Sequence, residues 1–173
     1  MTVTTATATT SAPTPAGADI LRHTLRRHAA GVTVITVPGP AGFTATSFTS
    51  VSLEPALVSF CIGVHASACP AVRDAERFAV HVLGTANAEL GTQFARSGID
   101  RFAGVPWQSQ DGLPLLGGVP AWLTARVTLR QRVGDHLLVV GEVEAGGGHG
   151  RGPALVHHDG AFGTTVRIPP HEA

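Results

Sequence analysis

The chain alternates short runs of β-branched and apolar residues with turns that are rich in glycine and proline. Residues 32–37 are β-branched at every position, a composition that fits a pleated strand better than a helix. Residues 38–42 have turn chemistry, so we expect residues 43–52 to form a second strand that pairs back as a hairpin. Further strands are predicted at residues 57–62, 78–83, 121–132, 137–145 and 154–158.

The helical segments are few and short. A helix is expected from Asp19 to His28, ended by Gly31, and two more at residues 70–76 and 87–96. Residues 98–120 form an excursion rich in glycine and proline. Six or seven strands without regular strand–helix alternation predict an all-β fold, a closed or two-sheet barrel with a few short flanking helices. A Rossmann fold is disfavoured, because the glycine runs follow no strand-to-helix signal.

Length and terminal composition predict one folded domain at residues 19–167. A chain of 173 residues is the size of a single domain. Residues 1–18 are rich in threonine, alanine, serine and proline, so we expect a disordered segment there, without the features of a signal peptide. Residues 168–173 contain two adjacent prolines and are expected to form a disordered tail.

Charge and cysteine content exclude several classes of protein. A formal net charge of zero lacks the electrostatic footprint of a nucleic-acid binder. No apolar run approaches the ~20 residues of a membrane span. Charged residues make up 14% of the chain, against about 25% for an average domain, which favours a homodimer that hides part of the surface. Cys61 and Cys69 have neither disulfide-framework nor zinc spacing, so a reducing cytoplasm is expected.

Hydroxyl groups crowd the expected second strand. Six of residues 43–52 are threonine or serine, so neither face of this strand resembles an ordinary apolar core. Strict alternation would place Thr44, Thr46, Phe48, Ser50 and Ser52 on one side. Two interpretations remain open. Small hydroxyl side chains and backbone N–H groups can hold a planar polar heterocycle or a phosphate, whereas a solvent-facing edge strand would have the same composition.

Other candidate residues favour structural roles. His157 and His158 are adjacent on a strand and therefore point to opposite faces, so no metal site is predicted. His81 lies among apolar residues and is expected to be a hydrogen-bonded core or interface histidine. Cys61 lacks a neighbouring cation that would make it a nucleophile. Trp107 and Trp122 are expected to be core or interface anchors. For Arg101, support of a phosphate and local pairing beside Asp100 both remain open.

Three segments together resemble the flavin reductase-like family of FMN-binding split barrels. They are Arg-His-Ala-Ala-Gly-Val at residues 27–32, Gly-Phe-Thr-Ala-Thr-Ser-Phe-Thr-Ser-Val-Ser-Leu-Glu-Pro at 42–55, and Gly-Asp-His at 134–136. The resemblance covers about residues 21–162. It implies a split β-barrel and a set of site residues. His136 matches a histidine near the nicotinamide, and the flavin would be held by Thr44, Ala45, Thr46, Ser47, Ser50, Val51, Ser52, Cys61, Ala66 and Ser67.

The resemblance also implies an activity and partners. The chain is expected to be an NAD(P)H:flavin oxidoreductase that takes NADH or NADPH, reduces FMN or FAD, and supplies reduced flavin to a separate monooxygenase. The loop at residues 66–69 has fewer hydroxyls than in many relatives and so fewer phosphate donors. One alternative is a flavoenzyme on the same scaffold that retains its flavin and acts on an organic substrate. Another is a non-catalytic flavin- or haem-binding module.

Overall fold

A computed structural model describes residues 17–148 and 150–169. Its main element is an antiparallel sheet of seven strands, in the order β3-β2-β6-β9-β10-β5-β4. The expectation of an all-β fold with short helices is confirmed. The strands are β2 Thr33–Val37, β3 Ala41–Ala45, β4 Thr49–Leu53, β5 Ala56–Gly63, β6 Arg77–Val82, β9 Ala121–Val133 and β10 His136–Gly147.

Two smaller sheets and three helices accompany the seven-stranded sheet. β1 Ala30–Gly31, β11 Leu155–His158 and β12 Ala161–Thr164 form one small sheet, and β7 Trp107–Gln110 with β8 Leu113–Leu116 forms the other. The helices are α1 Gly17–Leu25, α2 Cys69–Asp74 and α3 Ala88–Ala95, and a turn of 3₁₀ helix at Thr85–Asn87 precedes α3. None of the helices in the described ranges is long and apolar enough to cross a membrane.

The seven-stranded sheet curls around an apolar core. Phe60 and Phe78 are fully buried and meet edge to face with ring centroids 5.0 Å apart. Phe43 on β3 lies 5.8 Å from Phe60 on β5, so the two ends of the sheet approach each other without pairing as strands. Aromatic pairs of this geometry add stability to that of burial alone. The sheet is therefore a barrel split between β3 and β5.

The hydroxyl-rich segment does not form one continuous strand. The expected strand at residues 43–52 is wrong, because β3 ends at Ala45 and β4 begins at Thr49 on the opposite edge of the sheet. A β-bulge between Ser50 and Ser52 further breaks the alternation that would have aligned five side chains. Residues 46–48 cross the split, which leaves their backbone outside the strand ladders.

Several smaller expectations also need correction. Gly17 and Ala18, expected to be disordered, begin α1, and that helix ends at Leu25 rather than at His28. Its first turn includes Asp19, which pairs with Arg22 at 2.9 Å. The excursion at residues 98–120 contains the β7–β8 hairpin, and a further strand, β12, follows β11. Residues 1–16, 149 and 170–173, including most of both expected disordered ends, lie outside the described ranges.

Candidate functional site

A cleft of about 360 Å³ opens where the barrel is split. Strands β3, β5 and β10, the loop after β5 and the end of α3 form its walls. Eight of the eleven site residues expected from the sequence line this split cleft, together with Phe43, Ile62, Gly63, Phe94 and Arg101. The eight are Thr44, Ala45, Thr46, Ser47, Cys61, Ala66, Ser67 and His136.

Residues 50–52, the other three expected site residues, lie on β4 at the edge of the sheet and outside the split cleft. Val51 is 54% exposed, and Ser50 and Ser52 flank the β-bulge opposite β5. Within a single chain, therefore, the structure does not bring residues 50–52 together with the rest of the expected site.

The protein itself uses two of the hydroxyls at the split. Ser47 Oγ accepts a hydrogen bond from the Cys61 N–H at 2.9 Å and donates one to the Cys61 carbonyl at 3.1 Å. This side chain thus replaces the backbone pairing that β5 loses where the chain leaves the sheet. Thr44 Oγ1 donates to the Gly91 carbonyl of α3 at 2.6 Å. The Thr46 hydroxyl, which is exposed, has no hydrogen-bond partner among the described residues.

The approach of α3 to β3 requires a glycine. A Cβ on Gly42 would lie 2.9 Å from a ring carbon of Phe94 and 2.9 Å from the Ile35 carbonyl oxygen. Contacts this short do not occur in folded proteins, so residue 42 must lack a side chain for Phe94 to pack here. Phe94 is fully buried and meets Phe102 edge to face at 5.1 Å. The apolar wall of the split cleft is therefore rigidly packed.

Arg101 supplies a cation to the cleft, and the sequence left its role open. Its Nε donates to the Arg96 carbonyl at 2.6 Å, Nη1 to the Gly42 carbonyl at 3.0 Å and Nη2 to Ser67 Oγ at 3.0 Å. A guanidinium has five N–H donors, so two remain for a ligand. Burial lowers the pKa of Arg101 from its usual value, but a guanidinium stays charged at neutral pH.

Arg101 lies next to the loop at residues 66–69. That loop brings one hydroxyl, that of Ser67, to the split cleft, which agrees with the shortage of donors noted in the sequence. The side chain bonded to this hydroxyl comes from a position 34 residues later in the chain. The sequence does not predict this contact, because the two residues are far apart in the chain and are brought together only by the fold.

His136 stands at the rim of the cleft, at the start of β10. It pairs across the strands with Gly63, and a Cβ at that glycine would lie 3.9 Å from His136 Nε2. The hydrogen bond to His136 lowers the pKa of Asp135, so this carboxyl is ionised at neutral pH and can only accept. His136 Nδ1 must therefore donate the 2.7 Å bond, which leaves Nε2 available to a ligand.

Two other features were weighed as possible sites. His81 is fully buried, and both ring nitrogens are used: Nδ1 lies 3.1 Å from the Val34 carbonyl, and Nε2 accepts from the Leu116 N–H at 3.0 Å. This confirms its assignment to the core. Within residues 17–148 and 150–169, no group of three or more histidine, cysteine, aspartate or glutamate side chains is arranged to hold a metal ion.

A second cavity of about 420 Å³ lies beside the β7–β8 hairpin. Trp107 and Trp122 line this tryptophan cavity, and its remaining described lining is apolar, glycine or amide. It is larger than the split cleft, but it offers no charged side chain to a ligand with a phosphate. The split cleft combines a cation, hydroxyls, free backbone and a histidine, so it is the stronger candidate.

Comparison with known proteins assigns the chain to a family. The family model described as "Flavin reductase like domain" matches residues 25–165. An NADH:FMN oxidoreductase from Rhodococcus qingshengii is 50% identical over 127 residues, which is 70% of this chain. The match spans 66% of that protein, slightly less than two thirds of its length.

Two solved structures share the fold over most of the chain. A flavin reductase domain protein from Arthrobacter sp. FB24 superimposes with a TM-score of 0.85 at 34% identity, covering 90% of this chain and 99% of its own. BorF, the flavin reductase component of a bacterial two-component tryptophan halogenase, gives a TM-score of 0.79 at 32% identity, covering 87% and 99%.

Proposed function

The chain belongs to the flavin reductase-like family, and from that membership we propose that it is an NADH:flavin oxidoreductase acting on FMN or FAD. The observation that carries the proposal is the split cleft itself, where Arg101, Ser67 and the free backbone of residues 46–47 face one cavity with His136 at its rim. The relative from Rhodococcus, named for NADH and FMN, supports the choice of both substrates.

The residues of the split cleft fit a flavin. An isoalloxazine is planar, so it needs an apolar wall and small neighbouring side chains, which Phe43, Phe94 and Ala45 provide. Its polar edge needs hydrogen-bond donors, and residues 46–48 have left the strand ladders. The flavin phosphate needs a cation, and Arg101 has two N–H donors beyond those that hold it in place.

A bound flavin would itself supply the redox chemistry, by accepting a hydride from the nicotinamide. The chain's own residues then have to bind and orient. Arg101 and Ser67 would hold the phosphate end, and the packed Phe94 wall would support the ring. His136 Nε2, fixed through Asp135, lies at the open rim where the second substrate enters and can hydrogen-bond to it. No acid–base triad is required by this division of roles.

The open cleft suits a reductase that releases its product. The side chains of Thr46, Ser47 and Ser67 are exposed, so a flavin bound there remains accessible to solvent. The superposition with BorF, a reductase component of a two-component system, spans nearly the whole length of BorF. These observations support supply of reduced flavin to a separate oxygenase. The cytoplasm, where NADH is available, is the location proposed for this activity.

A homodimer is also proposed, because Leu129 and Val133 expose apolar side chains, on either side of Gln131, on a face that runs up to the split cleft. Antiparallel pairing sets Val133 beside His136 and Gly63, and sets Leu129 beside Val140 and Ser59 on the same outer face. Leu129 is 48% exposed and Val133 is 58% exposed. A second copy that covers this face would also reach the rim of the cleft.

NADH oxidation followed at 340 nm under air, with and without added FMN, tests the proposal. We expect turnover with NADH that depends on added flavin and saturates with it. A heat-inactivated sample provides the background rate of the direct reaction. If neither NADH nor NADPH is oxidised in the presence of FMN, FAD or riboflavin, the proposed function is wrong.

A further inference from the structure

A smaller cavity of about 170 Å³ adjoins the split cleft on the far side of Arg101. Arg101 and Ser67 line both cavities, and the 3.0 Å bond between Nη2 and Ser67 Oγ joins the two lining residues. We call the smaller one the side cavity. Because cofactor sites usually measure about 300–1,000 Å³, the side cavity is too small for a whole cofactor. It suits one part of a ligand whose remainder is bound in the split cleft.

The lining of the side cavity combines three kinds of chemistry. Pro40, Ala41, Ile99 and Phe102 give it an apolar surface, and Ile99 is 46% exposed. Asp100 adds a carboxylate, whose Oδ1 accepts the Phe102 N–H at 2.9 Å and whose second oxygen remains available. The guanidinium of Arg101 stands at the junction with the split cleft.

This combination of groups matches an adenylate group. An apolar surface takes a purine ring, a carboxylate can accept hydrogen bonds from ribose hydroxyls, and a guanidinium binds phosphate. Arg101 has two unused N–H donors and faces both cavities, so it can hold the phosphate at which FMN ends and from which FAD continues. We propose that the side cavity binds the adenylate half of FAD, which makes FAD the tighter-binding flavin. This inference rests on the proposed function of the split cleft.

The same adenylate chemistry occurs in NADH, but the position of Arg101 favours the flavin. The nicotinamide dinucleotide has to enter at the open rim, where His136 lies, and His136 does not line the side cavity. The side cavity instead meets the split cleft at Arg101 and Ser67, where the flavin phosphate is proposed to bind. Variants of the side cavity therefore distinguish the two sources of adenylate.

Isothermal titration calorimetry of FAD, FMN and riboflavin with the full chain and with Ile99→Ala tests the inference. Removing the apolar side chain is expected to raise the Kd for FAD about fivefold. The Kd values for FMN and riboflavin should stay within about twofold of those for the unsubstituted protein. Ile168→Ala, which removes an 87% exposed isoleucine outside both cavities, serves as the matched control and should change none of the three affinities.

Asp100→Asn provides a second variant. Asparagine can still accept the hydrogen bond from the Phe102 N–H, but it removes the negative charge of the side chain that is proposed to contact the ribose. It too should weaken FAD relative to FMN. Equal changes for FAD and FMN in both variants, or no change, would overturn the inference. A raised KM for NADH with unaltered FAD affinity would also overturn it and assign the cavity to the dinucleotide. Absence of all flavin binding and of NADH oxidation would instead refute the proposed function.

Discussion

Arg101 is the residue on which flavin recognition depends most in this account. It is the cation of the split cleft, and three hydrogen bonds to Arg96, Gly42 and Ser67 hold it in place. The backbone oxygens that fix it come from β3 and from the segment after α3. Its position is thus set by the fold and not by its neighbours in sequence, which makes its contribution measurable by substitution.

Arg101→Ala is predicted to weaken FMN binding by about tenfold or more, because a hydrogen bond to a charged group contributes about 1.5–3 kcal/mol. The Kd for riboflavin, which has no phosphate, should stay within about threefold of its value for the unsubstituted protein. Calorimetric titration of both ligands measures the difference. Arg96→Ala is the matched control, since only the backbone of Arg96 contacts Arg101. Equal losses for FMN and riboflavin would remove Arg101 from phosphate binding.

His136→Ala is predicted to raise the KM for NADH about tenfold while the Kd for FMN stays within about twofold. The physical reason is that Nε2 stands at the rim of the cleft, with Nδ1 committed to Asp135. Steady-state kinetics at saturating FMN, together with a binding titration, separate the two quantities. His158→Ala, an exposed histidine on β11, is the control. Unchanged kinetics would place His136 outside the site.

At the scale of elements, two buried polar side chains attach the β7–β8 hairpin to the main sheet. Thr36 Oγ1 on β2 donates to the Pro114 carbonyl at 2.6 Å, and His81 Nε2 on β6 accepts from the Leu116 N–H. Leu113 and Leu116, both on β8 of this hairpin, are buried. Each bond satisfies a backbone group that would otherwise be buried without a partner.

Thr36→Val is predicted to lower the free energy of unfolding by about 1–3 kcal/mol, because the Pro114 carbonyl loses its partner while it remains buried. Urea denaturation followed by tryptophan fluorescence measures the change. The control is Thr92→Val on α3, where an exposed hydroxyl bonds to the Ala88 carbonyl, and a change within about 0.5 kcal/mol is expected. Similar values for the two variants would contradict this role of Thr36.

His81 also predicts how stability depends on pH. Burial lowers its pKa from 6.5 to about 4, against a weaker opposing effect of the Val34 carbonyl. The unfolded chain therefore binds a proton between pH 6.5 and 4 that the folded protein does not, so stability falls as pH decreases through this window. The expected loss is about 2 kcal/mol between pH 7.5 and pH 5. Urea denaturation at both pH values tests it, and His81→Gln should flatten the dependence.

Sequence patterns predicted the strands that are rich in β-branched residues and missed those marked only by their turns. β2, β6, β9 and β10 stand close to their expected positions. The hairpin β7–β8 was missed, and β11 was predicted without its partner β12. Asp111-Gly112 and Asp159-Gly160 nevertheless adopt positive φ angles at both residues, the turn for which Asp-Gly is the strongest short signal. A search for that dipeptide would have found both.

The break at residues 46–48 gave no such signal. Threonine and serine are compatible with a continuous strand, and no glycine or proline marks the point where the chain leaves the sheet. The break is stabilised by the bonds of Ser47 to Cys61, 14 residues away in sequence. Contacts of this kind, like those of Arg101, depend on the closed fold. The composition of the site was therefore predictable from the sequence, but its geometry was not.

At the scale of the whole molecule, Leu129 and Val133 leave apolar surface uncovered on the outer face of β9 in the single chain. Leu129→Asp is predicted to convert a homodimer to a monomer, because a carboxylate at a buried interface is left without a partner. Light scattering coupled to size exclusion measures the mass. Val166→Asp, at a position that is 84% exposed in the C-terminal segment, is the control and should remain dimeric. A monomeric unsubstituted protein would contradict the proposed dimer.

A crystal structure of the protein with FMN tests the central claim most directly. We predict that the flavin ring occupies the split cleft between β3 and β5, with its phosphate within hydrogen-bond distance of Arg101 and Ser67. FMN bound instead in the tryptophan cavity beside Trp107 and Trp122, or a split cleft that stays filled with solvent at saturating FMN, would contradict the account.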